Sequence, residues 1–136
     1  MTETVEKSPM NLVQLREELA KIKKRDTELD IRGNKTDEYC QQFTSLSMKE
    51  ADEIYAKISK LSIPRFKDIY IHKIIDIMPR TVGQLKVVLQ GYSLTITNEN
   101  LKKIVDILEN YQKKKKEDKK EEKQEKKEEK KEKGKE

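Results

Sequence analysis

The sequence has one cysteine, one histidine and no tryptophan. Because Cys40 is alone, no internal disulfide can form, which is typical of proteins from a reducing compartment. The segment before Met10 lacks the apolar run of a secretion signal. No stretch approaches the roughly 18 consecutive apolar residues of a membrane-spanning helix. We therefore expect an intracellular, cytoplasmic protein that does not contact a membrane.

Motifs for catalysis and for binding a cofactor or a metal are also missing. The sequence contains no glycine-rich phosphate loop, no CxxC pair and no HExxH pattern. The single histidine, His72, has the apolar neighbours Tyr70, Ile71 and Ile74, which favours a structural or surface imidazole over a catalytic one. The sequence predicts a protein that is not an enzyme, with no catalytic residue, cofactor or metal.

Charge is unevenly distributed along the chain. Residues 113–136 contain no apolar residue and hold 13 Lys against 9 acidic residues, a net charge of +4. The whole chain has 31 basic and 26 acidic residues, so residues 1–112 hold 18 and 17, a net charge of +1. The part able to fold is therefore nearly neutral and offers no general basic face to nucleic acid.

Apolar residues recur at helical spacing throughout residues 1–112 and predict six short helices. Two examples are the stripe Leu12, Leu15, Leu19 and Ile22, and the stripe Tyr39, Phe43 and Leu46. The sequence predicts an all-α fold with an N-terminal helical segment at 1–35, a helical domain at 36–112 and a charged tail at 113–136. The polar stretch 23–35 is expected to be a mobile connection, with a loop at 32–38 that leads into the second helix.

Capping and breaking residues mark where several helices begin and end. Ser47 and Glu50 have the spacing of a capping box, in which each side chain bonds the backbone N–H of the other residue. Pro79 removes a backbone donor and disfavours helical geometry at Met78, so the fourth helix should end there. Thr81 can then cap the fifth helix.

The tail combines good helix formers with an unfavourable order of charges. Lys and Glu have high helix propensity. However, among charged pairs four residues apart within 113–136, four are opposite and thirteen are alike. Like pairs at this spacing each destabilise a helix by about 0.2–0.5 kcal/mol. We therefore expect a low-complexity tail that frays after its first turn and is mostly disordered.

The order of helical motifs resembles the F-type subunits of archaeal DNA-directed RNA polymerase, the family that corresponds to the small stalk subunit of the eukaryotic nuclear polymerases. The residues that carry the resemblance lie between 39 and 111. The start of the third helix matches at Leu46, Ser47, Glu50 and Ala51. The end of the fourth matches at Ile74, Asp76, Ile77, Met78 and Pro79. The fifth matches at Thr81, Leu85, Val88 and Leu89. The last matches at Leu101, Ile104, Val105, Asp106, Ile107, Leu108 and Tyr111.

The resemblance implies a non-catalytic subunit of a nucleotidyltransferase complex. It implies that residues 36–112 form an HRDC-like domain, a fold shared with helicases and RNase D. It further implies a heterodimer with the larger, E-type stalk subunit of the archaeal polymerase. In the family this pair forms a stalk on the polymerase core, and the implied roles are promoter opening with initiation factor E and guidance of nascent RNA.

The first apolar stripe is the candidate partner interface. Leu12, Leu15, Leu19 and Ile22 are separated from the later helices by a polar stretch, and an uncovered apolar stripe is often an interface. Packing on the second or third helix explains the stripe equally well on composition alone. The resemblance favours the interface with the E-type partner.

Two other function classes remain open from the residues. A free-standing helical nucleic-acid-binding module would use the turn at 79–81, which resembles a helix-turn-helix in outline. Separately from such a module, weak auxiliary contacts to RNA or DNA would fall to the basic residues Arg65, Lys67, Lys73, Arg80 and Lys86. A solvated helix face is the favoured explanation of those residues. The other class is a protein–protein adaptor outside transcription.

Overall fold

The computed structural model describes the backbone of residues 3–132, with side chains omitted at 118, 119, 122, 125 and 127–132. Within this range the chain forms helices and no strand. The helices are α1 Leu12–Asp26, α2 Ile31–Phe43, α3 Met48–Ser59, α4 Asp68–Ile77, α5 Val82–Leu89 and α6 Asn98–Glu132. The predicted all-α fold is confirmed.

Side-chain caps define the starts of several helices. Ser47 and Glu50 form the predicted capping box of α3, and Thr81 caps α5 by accepting a hydrogen bond from the N–H of Gln84. Helix α4 ends at Ile77, and Met78 takes a left-handed conformation with φ 52° immediately before Pro79. The predicted interruption at Pro79 is therefore confirmed.

The region between α1 and α2 differs from the prediction. The expected mobile connection and the loop at 32–38 are wrong, because the two helices are separated only by residues 27–30. Asp30 is the reason, since its side chain accepts a hydrogen bond from the N–H of Gly33 at 2.6 Å and caps α2 there. A cap of this kind contributes about 0.5–2 kcal/mol. It starts the helix despite the glycine in its first turn.

The core lies where α3, α4, α5 and α6 meet. Ile54, Ile74, Leu85, Ile104 and Leu108 have no exposed surface. Burying an aliphatic side chain of this size contributes about 1.5–3 kcal/mol, which makes this cluster the main source of stability. Helix α1 is also anchored in this core, since its Val13 belongs to the same cluster.

Helix α6 continues beyond the core into the charged tail. Among the described side chains Tyr111 is the last buried one, and every one from Lys116 onward is exposed. The exposed part of the helix relies on the helix propensity of Lys and Glu, and like-charged pairs four residues apart oppose it. The described backbone of the tail ends at Glu132.

Candidate partner interface

Two polar contacts fasten the start of α1 to α4. Asn11 caps α1 in a capping box with Gln14, and its Nδ2 lies 3.2 Å from Nδ1 of His72 in a buried contact. One residue further, the N–H of Leu12 donates to Oδ1 of Asp76 at 2.8 Å. Burial lowers the pKa of His72, and burial also raises the pKa of Asp76. The first helix is therefore held to the core and is not a detached segment.

Helix α1 also packs against α2 and the loop that follows it. The guanidinium of Arg16 donates to Oγ1 of Thr44 at 2.8 Å and to the carbonyl of Leu46 at 2.9 Å. On the same helix Leu19 is buried. The other members of the predicted interface stripe, Leu12, Leu15 and Ile22, are half-buried. Much of this stripe is thus covered by the chain itself.

The exposed apolar surface of this helical pair lies on α2. Ile31, Tyr39 and Phe43 are 77%, 51% and 59% exposed. The rings of Tyr39 and Phe43 contact each other with centroids 4.6 Å apart. Periodicity placed Tyr39 and Phe43 on one helical stripe but could not show that the stripe faces solvent. Between them Cys40 is fully buried, and burial raises the pKa of its thiol, which favours the unreactive protonated form.

Basic residues proposed for nucleic-acid contact are spread over several elements. Arg65 lies in the turn before α4, Lys67 is the N-cap of that helix, and Lys73 places its ammonium 4.8 Å from the ring centroid of Tyr92. Arg80 lies in the joint between α4 and α5, and Lys86 lies on α5. The two grooves at this joint include only Arg80 among the five.

The family model for RNA polymerase Rpb4 matches residues 3–112. The chain belongs to the RNA polymerase Rpb4 family. No individual curated protein matches it. The matched range contains α1 to α5 and the core-facing part of α6, and it stops where the charged tail begins. The family match therefore accounts for the packed part of the molecule and leaves the tail outside.

Membership in the Rpb4 family identifies the chain as a subunit of an RNA polymerase, of a kind that is generally non-catalytic. It implies association with the polymerase core and with a partner subunit. A partner subunit requires an accessible surface on this chain. The structure offers such a surface in the exposed apolar side chains of α2 and in residues 3–10, where Val5 is 95% exposed.

The part of this Rpb4-family chain that the structure describes has neither a candidate metal site nor a helix that could span a membrane. Among the described side chains, no group of three or more His, Cys, Asp or Glu is placed to hold a metal ion. None of the described helices combines the length and apolar character needed to cross a bilayer.

Proposed function

We propose that this Rpb4-family chain is the small, F-type stalk subunit of an archaeal-type DNA-directed RNA polymerase, where it pairs with a larger E-type partner. Its role in the complex is to stabilise that partner, to support promoter opening with initiation factor E, and to help guide nascent RNA. The observation that carries the proposal is the family match over residues 3–112. Residues 36–112 would form the HRDC-like domain.

The partner would bind the N-terminal part of the chain. Residues 3–11 have no regular structure in the monomer, and Val5 and Met10 are exposed there. An extended segment of this kind can add a strand to the edge of a partner's sheet, because its backbone N–H and C=O groups are available. Such an addition also covers apolar side chains that the monomer leaves in water.

The first two helices would continue this interface beside the extended segment. The accessible edges of Leu12, Leu15 and Ile22 offer apolar area on α1, and Ile31 and Tyr39 offer it on α2. Leu19, which the sequence placed in the interface, is only 8% exposed and is therefore buried within the chain itself. The interface is therefore proposed to combine the edge of the first stripe with the outer face of α2.

Coexpression with the E-type protein of an archaeal polymerase tests the proposal. The expected result is a stable one-to-one complex that copurifies with a polymerase core, while the chain alone is less soluble. Ile31→Ser and Tyr39→Ser, combined in one variant, should weaken the complex at least about tenfold, the loss seen when buried anchors are truncated.

The control is Ile69→Ser, which changes an isoleucine on α4 that is 47% exposed, against 77% for Ile31. This control should leave the complex intact. A monodisperse chain that does not bind the partner but binds DNA with nanomolar affinity at physiological salt would instead identify a free-standing nucleic-acid-binding module. Copurification with proteins unrelated to transcription would favour the adaptor.

A further inference from the structure

A groove lies where the ends of two helices meet the side of a third. Its volume is about 340 Å³, and it is formed by the end of α2, the end of α4 and the middle of α6. Phe43, Leu46, Ile77 and Gln112 are among its lining residues. The volume falls at the low end of the ~300–1,000 Å³ range of ligand pockets, which suits one or two side chains of a bound segment.

Hydrogen bonds hold the walls of this groove in place. On one side Arg16 binds Oγ1 of Thr44 and the carbonyl of Leu46. On the other side Nε2 of Gln112 donates to the carbonyl of Met78 at 3.0 Å, which ties the end of α4 to α6. Because the walls are fixed before anything binds, a ligand would lose little free energy in ordering them.

The groove combines exposed apolar side chains with an excess of positive charge. Phe43 and Ile77 are each more than half exposed. Among the described lining residues, Arg80 and Lys116 are basic and Asp76 is acidic, an excess of one positive charge that leaves aside Lys115, which has another interaction. A complementary ligand would present a large apolar group together with negative charge.

We propose that this groove binds a short segment of a partner protein in which one large apolar side chain is flanked by aspartate or glutamate. The apolar side chain would lie between Phe43 and Ile77, and the flanking carboxylates would lie near Arg80 and Lys116. Nucleic acid fits the groove less well. The ring of Phe43 already packs against Tyr39, which reduces its availability for base stacking.

Fluorescence anisotropy with the full chain tests this proposal. The probe is a short fluorescein-labelled peptide in which one Phe and one Leu lie among Asp and Glu residues, and the comparison peptide has Lys at every acidic position. The acidic peptide should bind at least about tenfold more tightly than the basic one, because only its charge complements the rim. Circular dichroism confirms that each variant is folded.

Two pairs of variants distinguish binding in the groove from non-specific binding elsewhere on the chain. Ile77→Ser should weaken the acidic peptide about tenfold, while Ile69→Ser on the same helix, at nearly equal exposure, should change binding less than about twofold. Arg80→Glu should weaken binding and reduce its salt dependence, whereas Lys86→Glu, outside the groove, should not.

Three results would overturn the proposal. The first is equal affinity for the acidic and basic peptides. The second is equal loss in the groove and control variants. The third is a single-stranded oligonucleotide that binds more tightly than the acidic peptide and depends on Ile77, since the groove would then be a nucleic-acid site.

Discussion

The amide of Asn11 and the imidazole of His72 fix each other's hydrogen-bonding state. Oδ1 of Asn11 accepts from the backbone N–H of Gln14, which can only donate, so Nδ2 is the atom that faces Nδ1 of His72. Nδ1 must then act as the acceptor, which places the ring proton on Nε2 and leaves the imidazole neutral. Protonation of Nδ1 would set two donors against each other in a buried contact.

Acid should therefore destabilise the fold through His72. Burial lowers the pKa of His72, although Asp68 and Asp76 oppose that shift, and the ring stacks on Tyr55. Since the pKa is lower in the folded chain, the contribution to stability is complete above the unfolded value of about 6.5. It is lost as the pH falls toward the folded value. Urea unfolding between pH 7.5 and 5 should show this decrease, and His72→Gln should flatten it.

Replacing Asn11 tests the same contact from the other side. Asn11→Asp keeps an oxygen for the cap of α1 and turns the second oxygen toward His72, which would raise the pKa of the imidazole. Stability should then be greatest below pH 6.5 or so and fall as the pH rises through the folded pKa, the reverse of the unchanged chain. A pH profile that keeps its original sign would show that His72 does not respond to residue 11.

Asn11→Ala should cost more than the loss of an ordinary cap. The loss of the cap alone destabilises by about 0.5–2 kcal/mol, and the lost buried hydrogen bond adds about 1 kcal/mol. Ser47→Ala is the control, because Ser47 caps α3 at an exposed position with no long-range partner. Equal free energies of unfolding for the two variants would mean that the contact with His72 adds nothing.

Helix α4 offers a matched pair of isoleucines for measuring the core. Ile74 has no exposed surface, whereas Ile69 is 47% exposed. Ile74→Ala should destabilise the chain by about 2–5 kcal/mol, because it leaves a cavity in the core cluster. Ile69→Ala should cost under about 1 kcal/mol. Both values come from urea unfolding at pH 7.5, where His72 is neutral.

Removal of residues 117–136 should leave the packed part of the chain unchanged. Every described side chain in this segment is exposed, so the free energy of unfolding should change by less than about 0.5 kcal/mol. The thirteen like-charged pairs of the tail predict that its exposed helix frays in solution, so the loss of far-UV helical signal should be small. A loss equivalent to some twenty helical residues would contradict the charge argument.

Local signals in the sequence were enough to place most of the helices. The capping box at Ser47 and Glu50 and the interruption at Pro79 depend on residues a few positions apart, and both appear in the structure as predicted. Contacts within one helical turn can be read from spacing because the helix itself fixes the geometry.

Contacts between distant elements could not be read in this way. The Asn11 and Gln14 capping box has a sequence signal, Asn-x-x-Gln before an apolar run, that would have marked the start of α1. Nothing local indicates that Asn11 meets His72. Likewise, a helical stripe shows which residues share a face but not what covers that face. For this reason the sequence placed Leu19 in the partner interface. The stripe that contains Phe43 was predicted only to be helical, and Phe43 is exposed.

The contact between Asn11 and His72 joins positions 61 residues apart, and that between Leu12 and Asp76 joins positions 64 apart. Bringing such distant positions together costs loop-closure entropy that neighbouring helices do not lose. We therefore expect the helical pair α1–α2 and the cluster around α4 to form early in folding. The two hydrogen bonds between them would form late, so their loss would be an early step in unfolding.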